Sequence, residues 1–465
     1  MADTIKRIFI ALAIAMLFAG CSTVEVVERP DARPIQTVDP AFLQARDLAA
    51  NDAALSGQSK LDNARQIERL LSGLDNATLS GNTAALAAGD PLYAFAGRAL
   101  LRRGLPLPRS FDRGAQWRFD AGNRPPADRD GYRPPLKLAV LLPLSGSLAT
   151  AAAPVRDGLL AGYYGERRTR PEIQFYDTAG TSAGAIAAYG RAAAEGNDFV
   201  VGPLGRDEVT ALFNQGELSV PMLALNRGNV APPAGHASFS LAPEDEAMSA
   251  AEYLLSRNAR RVLVLSGGEA GMSRAVAAFR ERFGERGGVV VDAMAVNDKA
   301  EGLLPALQAA VAKEGGIDAV FLAVKGAQAR AAAPVLSAVG LNAKPRVATS
   351  QLISGTGKAE QDRVLDGIIF PSDAWSARGA PGLPAASMTG QTLPTARGPA
   401  ARLFAFGYDA WLIAAYLERL ATGSDAQMQG ATGNLRIDGF GNIMRTPAWS
   451  TFSGGVPMPL SNGGG

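Results

Sequence analysis

The chain has 465 residues, 46 Lys and Arg against 44 Asp and Glu, a formal net charge of +2, and 47% apolar residues. Its length allows two or three domains and a large core, and its balanced charge argues against nucleic acid as the main partner, which calls for a basic stripe. One Cys and one His exclude an internal disulfide framework and any Cys-based zinc site, so no cofactor or metal is expected.

Lys6 and Arg7 precede an apolar segment, Ile8 to Phe18, which closes on Ala19 and Gly20. This is the layout of a secretory signal over residues 1–20. The apolar run is shorter than the roughly 20 residues of a membrane-spanning helix. Cys21 follows at once, in LFAGC. The motif resembles the lipobox of bacterial lipoproteins, with Phe18 where Leu, Val or Ile usually stands. That resemblance implies that Cys21 is acylated, palmitate included, and becomes the new N-terminus. Ser22, where an Asp would resemble an inner-membrane retention signal, implies the periplasmic face of the outer membrane.

Residues 21–40 carry Pro30, Pro34 and Pro40 without periodicity and read as a tether. Residues 41–108 are rich in Ala and Leu at three- and four-residue spacing, which predicts short amphipathic helices. This stretch looks too short to bury much core of its own. Residues 109–135, rich in Arg, Asp, Gly and Pro, read as a second linker.

From Leu136 the text alternates. LKLAVLLPLSG is an apolar run stopped by Pro143, Ser145 and Gly146, which predicts a buried parallel strand. The next segment predicts a helix with Pro154 in its first turn. EIQFYDT, DFVVGPL, VPMLALN, RRVLVLS, VVVDAMAV, DAVFLAV, PRVATSQ and LDGIIFP continue the series, separated by helical stretches. The expected fold is α/β, two-lobed, with doubly wound parallel sheets after a short helical segment. A break near Ala242–Glu246 divides the strands. Lobe 1 is expected over about 136–241 and 371–430, and lobe 2 over about 242–370 and 431–455. The acidic residues Glu244 to Glu246 suit a helix start. Ser376–Pro399 reads as an exposed loop, TGNLRIDGFGNIMR as part of a hairpin turning near Gly439–Asn442, and 456–465 as a flexible tail.

The two-lobe pattern resembles type I periplasmic binding proteins. More closely, the blocks AVLLPLSGSLATAAAPVRDGLLAGYY, FYDTAG, DFVVGPLGRDEV, VPMLALNR, SLAPEDEA, VATSQ, LFAFGYDAW and TGNLRIDGFGNIMR resemble the LppC/LpoA family of penicillin-binding protein activators. VVGPL, PMLALNR and LAPEDEA in that order are the most specific part. The resemblance implies a non-enzymatic lipoprotein that docks on a class A penicillin-binding protein and stimulates peptidoglycan synthesis in the cell wall. Relatives often carry a larger helical-repeat domain than the helical stretch here. The alternative is a lipid-anchored solute-binding protein for amino acids or related small molecules.

Several motifs invite chemistry. Gly180–Gly184 reads GTSAG, a G-x-S-x-G between a strand and a helix, with Ser182 as candidate nucleophile and His236 as the only imidazole. Nothing beside His236 offers an orienting group, so a turn with Ser182 or Thr181 near an N-cap is favoured. Gly355, Gly357 and Lys358, in GTGKA, lack the first Gly and the final Ser or Thr of a P-loop. Tyr163, Tyr164, Tyr408 and Trp411 sit at core-like helical spacing and read as packing. Ligands of doubly wound sheets bind beyond the carboxyl ends of the strands. Those ends carry Ser145 and Gly146, Asp177 and Thr178, Gly205 and Arg206, and Asn226 and Arg227, and helix starts beside Ser145 and Gly205 would suit a carboxylate. Amino-acid-binding relatives place small hydroxyl residues after the third strand, where this chain has Gly205 and Arg206. The favoured expectation is that Arg206 and Arg227 pair with Asp177 or Asp207 and hold the lobes closed.

Overall fold

A computed structural model describes residues 38–111, 117, 124–423 and 426–460. The signal segment, Cys21 and nearly all of the tether lie outside the described residues. Among the described residues, no helix is long and apolar enough to cross a membrane.

Four helices open the described chain: α1 (Pro40–Asn51), α2 (Gly57–Gly73), α3 (Asn76–Ala84) and α4 (Leu92–Arg102). Asp39 caps α1 by accepting from the Ala41 N–H at 2.8 Å, and Pro40 follows where its missing donor costs nothing. Asp75 caps α3 through the N–H and hydroxyl of Thr78, at 2.9 and 2.6 Å. Contrary to expectation, these helices bury a core of their own: Phe42, Ile67, Leu71, Leu79, Leu92 and Leu100 are all nearly inaccessible.

The first α/β unit runs β1 (Lys137–Leu142), α5 (Ala149–Gly165), β2 (Glu172–Asp177), α6 (Ser182–Ala194), β3 (Phe199–Val201), α7 (Arg206–Phe213), β4 (Met222–Ala224) and β5 (Ala237–Phe239). The second runs α8 (Pro243–Leu255), β6 (Arg261–Ser266), α9 (Ala270–Glu285), β7 (Val289–Ala295), α10 (Leu303–Val311), β8 (Ala319–Ala323), α11 (Gly326–Ala338), β9 (Arg346–Ala348), α12 (Ala359–Asp362) and β10 (Ile368–Ser372). The chain then returns through α13 (Ala374–Arg378), α14 (Ala386–Thr392), α15 (Ala400–Thr422) and strands β11 (Met428–Gln429), β12 (Asn434–Ile437) and β13 (Asn442–Thr446). It closes with β14 (Ala448–Ser453) and β15 (Val456–Pro459).

One sheet has the order β11-β12-β13-β5-β4-β3-β1-β2 and the other β15-β14-β10-β9-β8-β6-β7. Both are mostly parallel, with antiparallel pairing at β11–β12–β13 and at β10–β14–β15. Strand β1 shows why its sequence lacks alternation. Leu138, Val140 and Leu142 enter the core under α5 and α15, while Ala139 and Leu141 enter the core under α6 and α7. Helices α5 and α15 cross in backbone contact, because a Cβ on Gly158 would lie 1.9 Å from the Phe404 carbonyl oxygen and one on Gly407 1.9 Å from that of Val155.

The sequence boundaries shift in five places. Residues 431–446, expected in lobe 2, belong to lobe 1, because β13 pairs parallel with β5 and Leu435, Ile437 and Ile443 fill the lobe 1 core. Residues 456–459 are not tail but β15, paired antiparallel with β14. The described end of the expected linker is packed, not free. Trp117 and Tyr132 are buried in the lobe 1 core, and the Arg133 N–H donates to the Ala415 carbonyl at 2.9 Å. Ser376–Pro399 contains helices, and Ala396 is buried beside Trp375. Pro154 lies inside α5, beyond its first turn.

The chain passes between the lobes three times, before α8, at Asp373 and at Pro447.

Candidate functional site

The rim of lobe 1 is formed by the loops leaving β1 to β4. Asp177, at the end of β2, accepts from the N–H groups of Leu144 (2.9 Å), Ser145 (3.2 Å) and Ala179 (2.8 Å) and from the Ser145 hydroxyl (2.6 Å). The Ser145 hydroxyl and these N–H groups hold its carboxyl below the usual range. Ser145 and Asp177 are therefore brought together, with Gly146 turning the loop at φ 78°. Thr178 is fully buried and its hydroxyl accepts from the Gly180 N–H at 3.3 Å. The Gly205 N–H donates to Glu208 Oε2 at 2.6 Å, and burial pushes Glu208 up. Asn226 donates to the Leu204 carbonyl and accepts from the Arg227 N–H, both at 2.9 Å.

The two arginines do not pair as expected. Arg227 makes a two-pronged ion pair with Asp245 in the first turn of α8, at 2.8 and 2.7 Å. Arg206 donates to Asn229 at 3.3 Å and stays exposed. Neither reaches Asp177 or Asp207. The Arg227–Asp245 pair does join the lobes, because Asp245 belongs to the helix that opens lobe 2. Across the rim, Lys325 and Glu269 of lobe 2 form an exposed ion pair at 2.8 Å, a partnership that carries little energy at such exposure.

The helical region reaches both lobes. On lobe 2, the Ser72 hydroxyl donates to Glu285 at 2.8 Å and accepts from Arg282 at 2.6 Å. On lobe 1, the Phe95 ring meets the Phe440 ring edge-on at 4.7 Å, and the Arg98 guanidinium lies 4.1 Å from the centre of Phe440. Arg98 also pairs with Glu68 and stands 3.8 Å from Asp438. Burial works against the Glu68 carboxylate, but Arg98 and Arg102 bring it down to about 2. Burial opposes the charge of Arg102, but Glu68 and then Asp245 favour it and raise it.

The second join is buried. Glu246, one residue past Asp245, accepts from the Ser350 N–H at 2.9 Å and its hydroxyl at 3.0 Å, from Arg445 at 3.2 Å, and from Arg402. From the sequence, Glu246 is only a helix-start acid. Its signal, three consecutive acidic residues, says nothing about partners 104 to 199 residues away.

The catalytic motif resolves as a turn. Thr181 caps α6 by accepting from the Gly184 N–H at 3.0 Å, and the Ser182 hydroxyl donates to the Asp207 carbonyl at 3.2 Å. His236 is buried before β5, where its backbone N–H donates to the Pro233 carbonyl at 3.1 Å. In the GTGKA loop, the Gly357 N–H donates to Asp362 at 2.9 Å and Arg330 donates to the Gly355 carbonyl at 2.8 Å. Lys358 precedes the short α12. Tyr163 and Trp411 pack edge-on at 5.4 Å, and Tyr408 donates to the Pro381 carbonyl at 2.8 Å. Tyr164 differs from expectation and is 68% exposed. Among the described residues, no group of His, Cys, Asp and Glu could hold a metal ion.

The folded chain is similar to full-length LpoA from Haemophilus influenzae, with a TM-score of 0.60, 19% identity, and coverage of 90% of this chain and 78% of that one. It is also similar to a structure from Chromobacterium violaceum described as a "putative branched-chain amino acid ABC transporter", with a TM-score of 0.54, 31% identity, and coverage of 68% and 100%. In sequence it is 28% identical over 347 residues to the "Penicillin-binding protein activator LpoA" of Photobacterium profundum, covering 68% of this chain. The chain spans 56% of the length of that relative. Residues 132–455 match the family described as "LppC putative lipoprotein". That match runs from Tyr132, buried in the lobe 1 core, to Gly455 in the last hairpin; it takes in both lobes, and the chain belongs to the LppC lipoprotein family.

Proposed function

We propose that this protein is an outer-membrane lipoprotein, anchored through Cys21 and facing the periplasm, that binds a class A penicillin-binding protein and raises its activity by contact rather than by chemistry of its own. The observation that carries the reading is the state of the rim. Asp177, Thr178, Asn226 and Arg227 are engaged by groups of the same chain, and the helical region is packed on both lobes. Solute capture uses lobes that close around a ligand, whereas a surface offered to a protein partner needs a fixed shape. The likeness to a protein named as a penicillin-binding protein activator covers 68% of this chain and supports the same reading. The second reading, amino-acid capture, draws on the Chromobacterium violaceum likeness. Crosslinking in intact cells followed by mass spectrometry separates them. The activator reading expects a class A penicillin-binding protein as the main adduct, with the Cys21→Ala variant lost from the outer-membrane fraction and its adduct reduced. Adducts confined to a transporter would move the assignment to solute capture, and unchanged fractionation of Cys21→Ala would remove the anchor.

A further inference from the structure

Among the described residues the two sheets end in four outer strands, and three of these edges are blunted against further pairing. β11 is two residues long. β15 carries Pro457 and Pro459. β7 is interrupted at Val291, where its register on β6 shifts, and the Lys313 ammonium donates to the Val291 carbonyl at 3.1 Å. β2 is the fourth. It runs six residues, Glu172–Asp177, in unbroken parallel register with β1. It holds no proline, no lysine and no bulge, and its two acids stand at its ends. Of these, Asp177 is engaged by its own turn and by the loop after β1.

Two ladder bonds give the direction of its peptide groups. The Glu172 N–H donates to the Leu136 carbonyl at 2.9 Å, and the Thr178 N–H to the Leu142 carbonyl at 3.0 Å. Residues of even number therefore face β1, and with a period of two the N–H and carbonyl groups of Ile173, Phe175 and Asp177 face outward. Among the described residues, no hydrogen bond from another segment reaches these outward groups. The side chains hold the strand from both faces. Ile173 and Phe175 pack against the lobe 1 core, and Tyr176 is buried with Ala185 and Ala188 of α6. A regular, open edge on a strand fixed in this way is what addition of an extended segment requires.

The start of this edge has a chemistry of its own. Tyr163, near the end of α5, donates to the Pro171 carbonyl at 2.9 Å, just before β2. Tyr164 beside it is 68% exposed. The two rings meet edge-on at 5.1 Å, and the Arg170 guanidinium lies 4.9 Å from the centre of the first and 5.6 Å from that of the second. Arg170 also donates to the Tyr163 carbonyl at 3.3 Å. Arg167 and Arg170 are exposed and have no ion-pair partner among the described residues, because the adjacent Glu166 is held by Arg168 at 2.9 Å. An exposed ring beside two uncompensated cations suits an apolar side chain with a carboxylate near it. A second copy does not supply this. Paired antiparallel about Phe175, it would bring Gly180 opposite Arg170, and its Asp177 is already engaged. We propose that β2 is the docking edge for an extended, acidic segment of the penicillin-binding protein. The segment adds beside β2 through main-chain hydrogen bonds, lays an apolar side chain on Tyr164 and brings carboxylates to Arg167 and Arg170. This inference rests on the activator reading proposed above. Exposed ion pairs contribute little, so two of them at the margin leave the salt dependence modest.

The test is hydrogen exchange, read residue by residue, of the Cys21→Ala chain without residues 1–20, alone and bound to the periplasmic part of a class A penicillin-binding protein of the same cell. In the free chain the amides of Ile173, Phe175 and Asp177 should exchange faster than those of Gln174 and Tyr176, which face β1. In the complex the three outward amides should slow by about tenfold or more, while β8 stays unchanged. The surface variant Arg167→Glu with Arg170→Glu should keep the thermal midpoint and weaken binding by about tenfold. Unchanged exchange over 172–177 in a complex that does form would overturn the docking edge and leave the activator reading standing, as would a charge-reversed variant that binds as tightly as the wild type. Protection of the same amides in the chain alone, with a dimer in sedimentation, would assign the edge to a second copy and overturn the proposal. A wild-type chain that binds no class A enzyme would end the activator reading and this docking with it.

Discussion

The carboxylate of Asp177 accepts four hydrogen bonds from its own turn and from the loop after β1, and Arg227 gives both ends of its fork to Asp245. A free amino acid entering at this rim would have to displace these contacts before making its own. Arg206, the exposed cation of the rim, follows β3 where amino-acid binders offer a small hydroxyl. Calorimetry with the common amino acids should therefore show no dissociation constant in the micromolar range or below; one such value would contradict this account of the rim. The positions were legible in the sequence because Pro143, Gly146, Gly202 and Pro203 mark where strands stop. The partners were not. Arg227 finds Asp245 in the other lobe, and the expected choices, Asp177 and Asp207, were simply the nearest acids in the rim. The Glu246 cluster was invisible for the same reason: ion pairs of long sequence separation leave no local pattern.

At the scale of elements, the four leading helices act as a brace. They have their own core, but they also share Phe440 and Met444 with the β12–β13 hairpin and tie Ser72 to α9. The brace and the lobes should unfold together, in one transition. Truncating Phe440, half-buried between Phe95 and Arg98, removes part of what a fully buried Phe contributes, so Phe440→Ala should cost about 2 kcal/mol, read as a lowered midpoint of that single transition in thermal or urea unfolding. A separate early transition of the helices, with the lobes unaffected, would contradict the brace. The sequence showed the helices and even the hairpin turn near Gly439–Asn442, but not the sheet that the hairpin joins, because β13 pairs with β5 some 204 residues earlier. The last strand was missed because VPMP looks like a poor strand. Its prolines have a place: the Leu460 N–H donates to the Trp449 carbonyl at 2.8 Å, and with a period of two Pro457 and Pro459 face away from β14, where no donor is wanted. They leave the outer edge of the sheet without N–H groups at those positions, which discourages a further strand from adding there.

At the scale of the whole molecule, two lobes, three crossings and a brace make a body built to hold a shape. The alternation of strands and helices was read from the sequence because buried parallel strands are continuous apolar runs bounded by turn residues, as in KLAVLL. What the sequence could not convey is that the lobes are joined by buried charge and bridged by the helices. A near-neutral chain of formal charge +2 is expected to dock by matched shape more than by long-range steering, so binding should depend only modestly on salt. The most direct test is to titrate the Cys21→Ala chain, without residues 1–20, against the periplasmic part of the class A penicillin-binding protein of the same cell. Glycan polymerisation and crosslinking would be followed at low and moderate ionic strength. The account predicts saturable binding and a rise in at least one of the two rates, little changed between the salt conditions. A folded chain that neither binds nor alters either rate of any class A enzyme of that cell would contradict it.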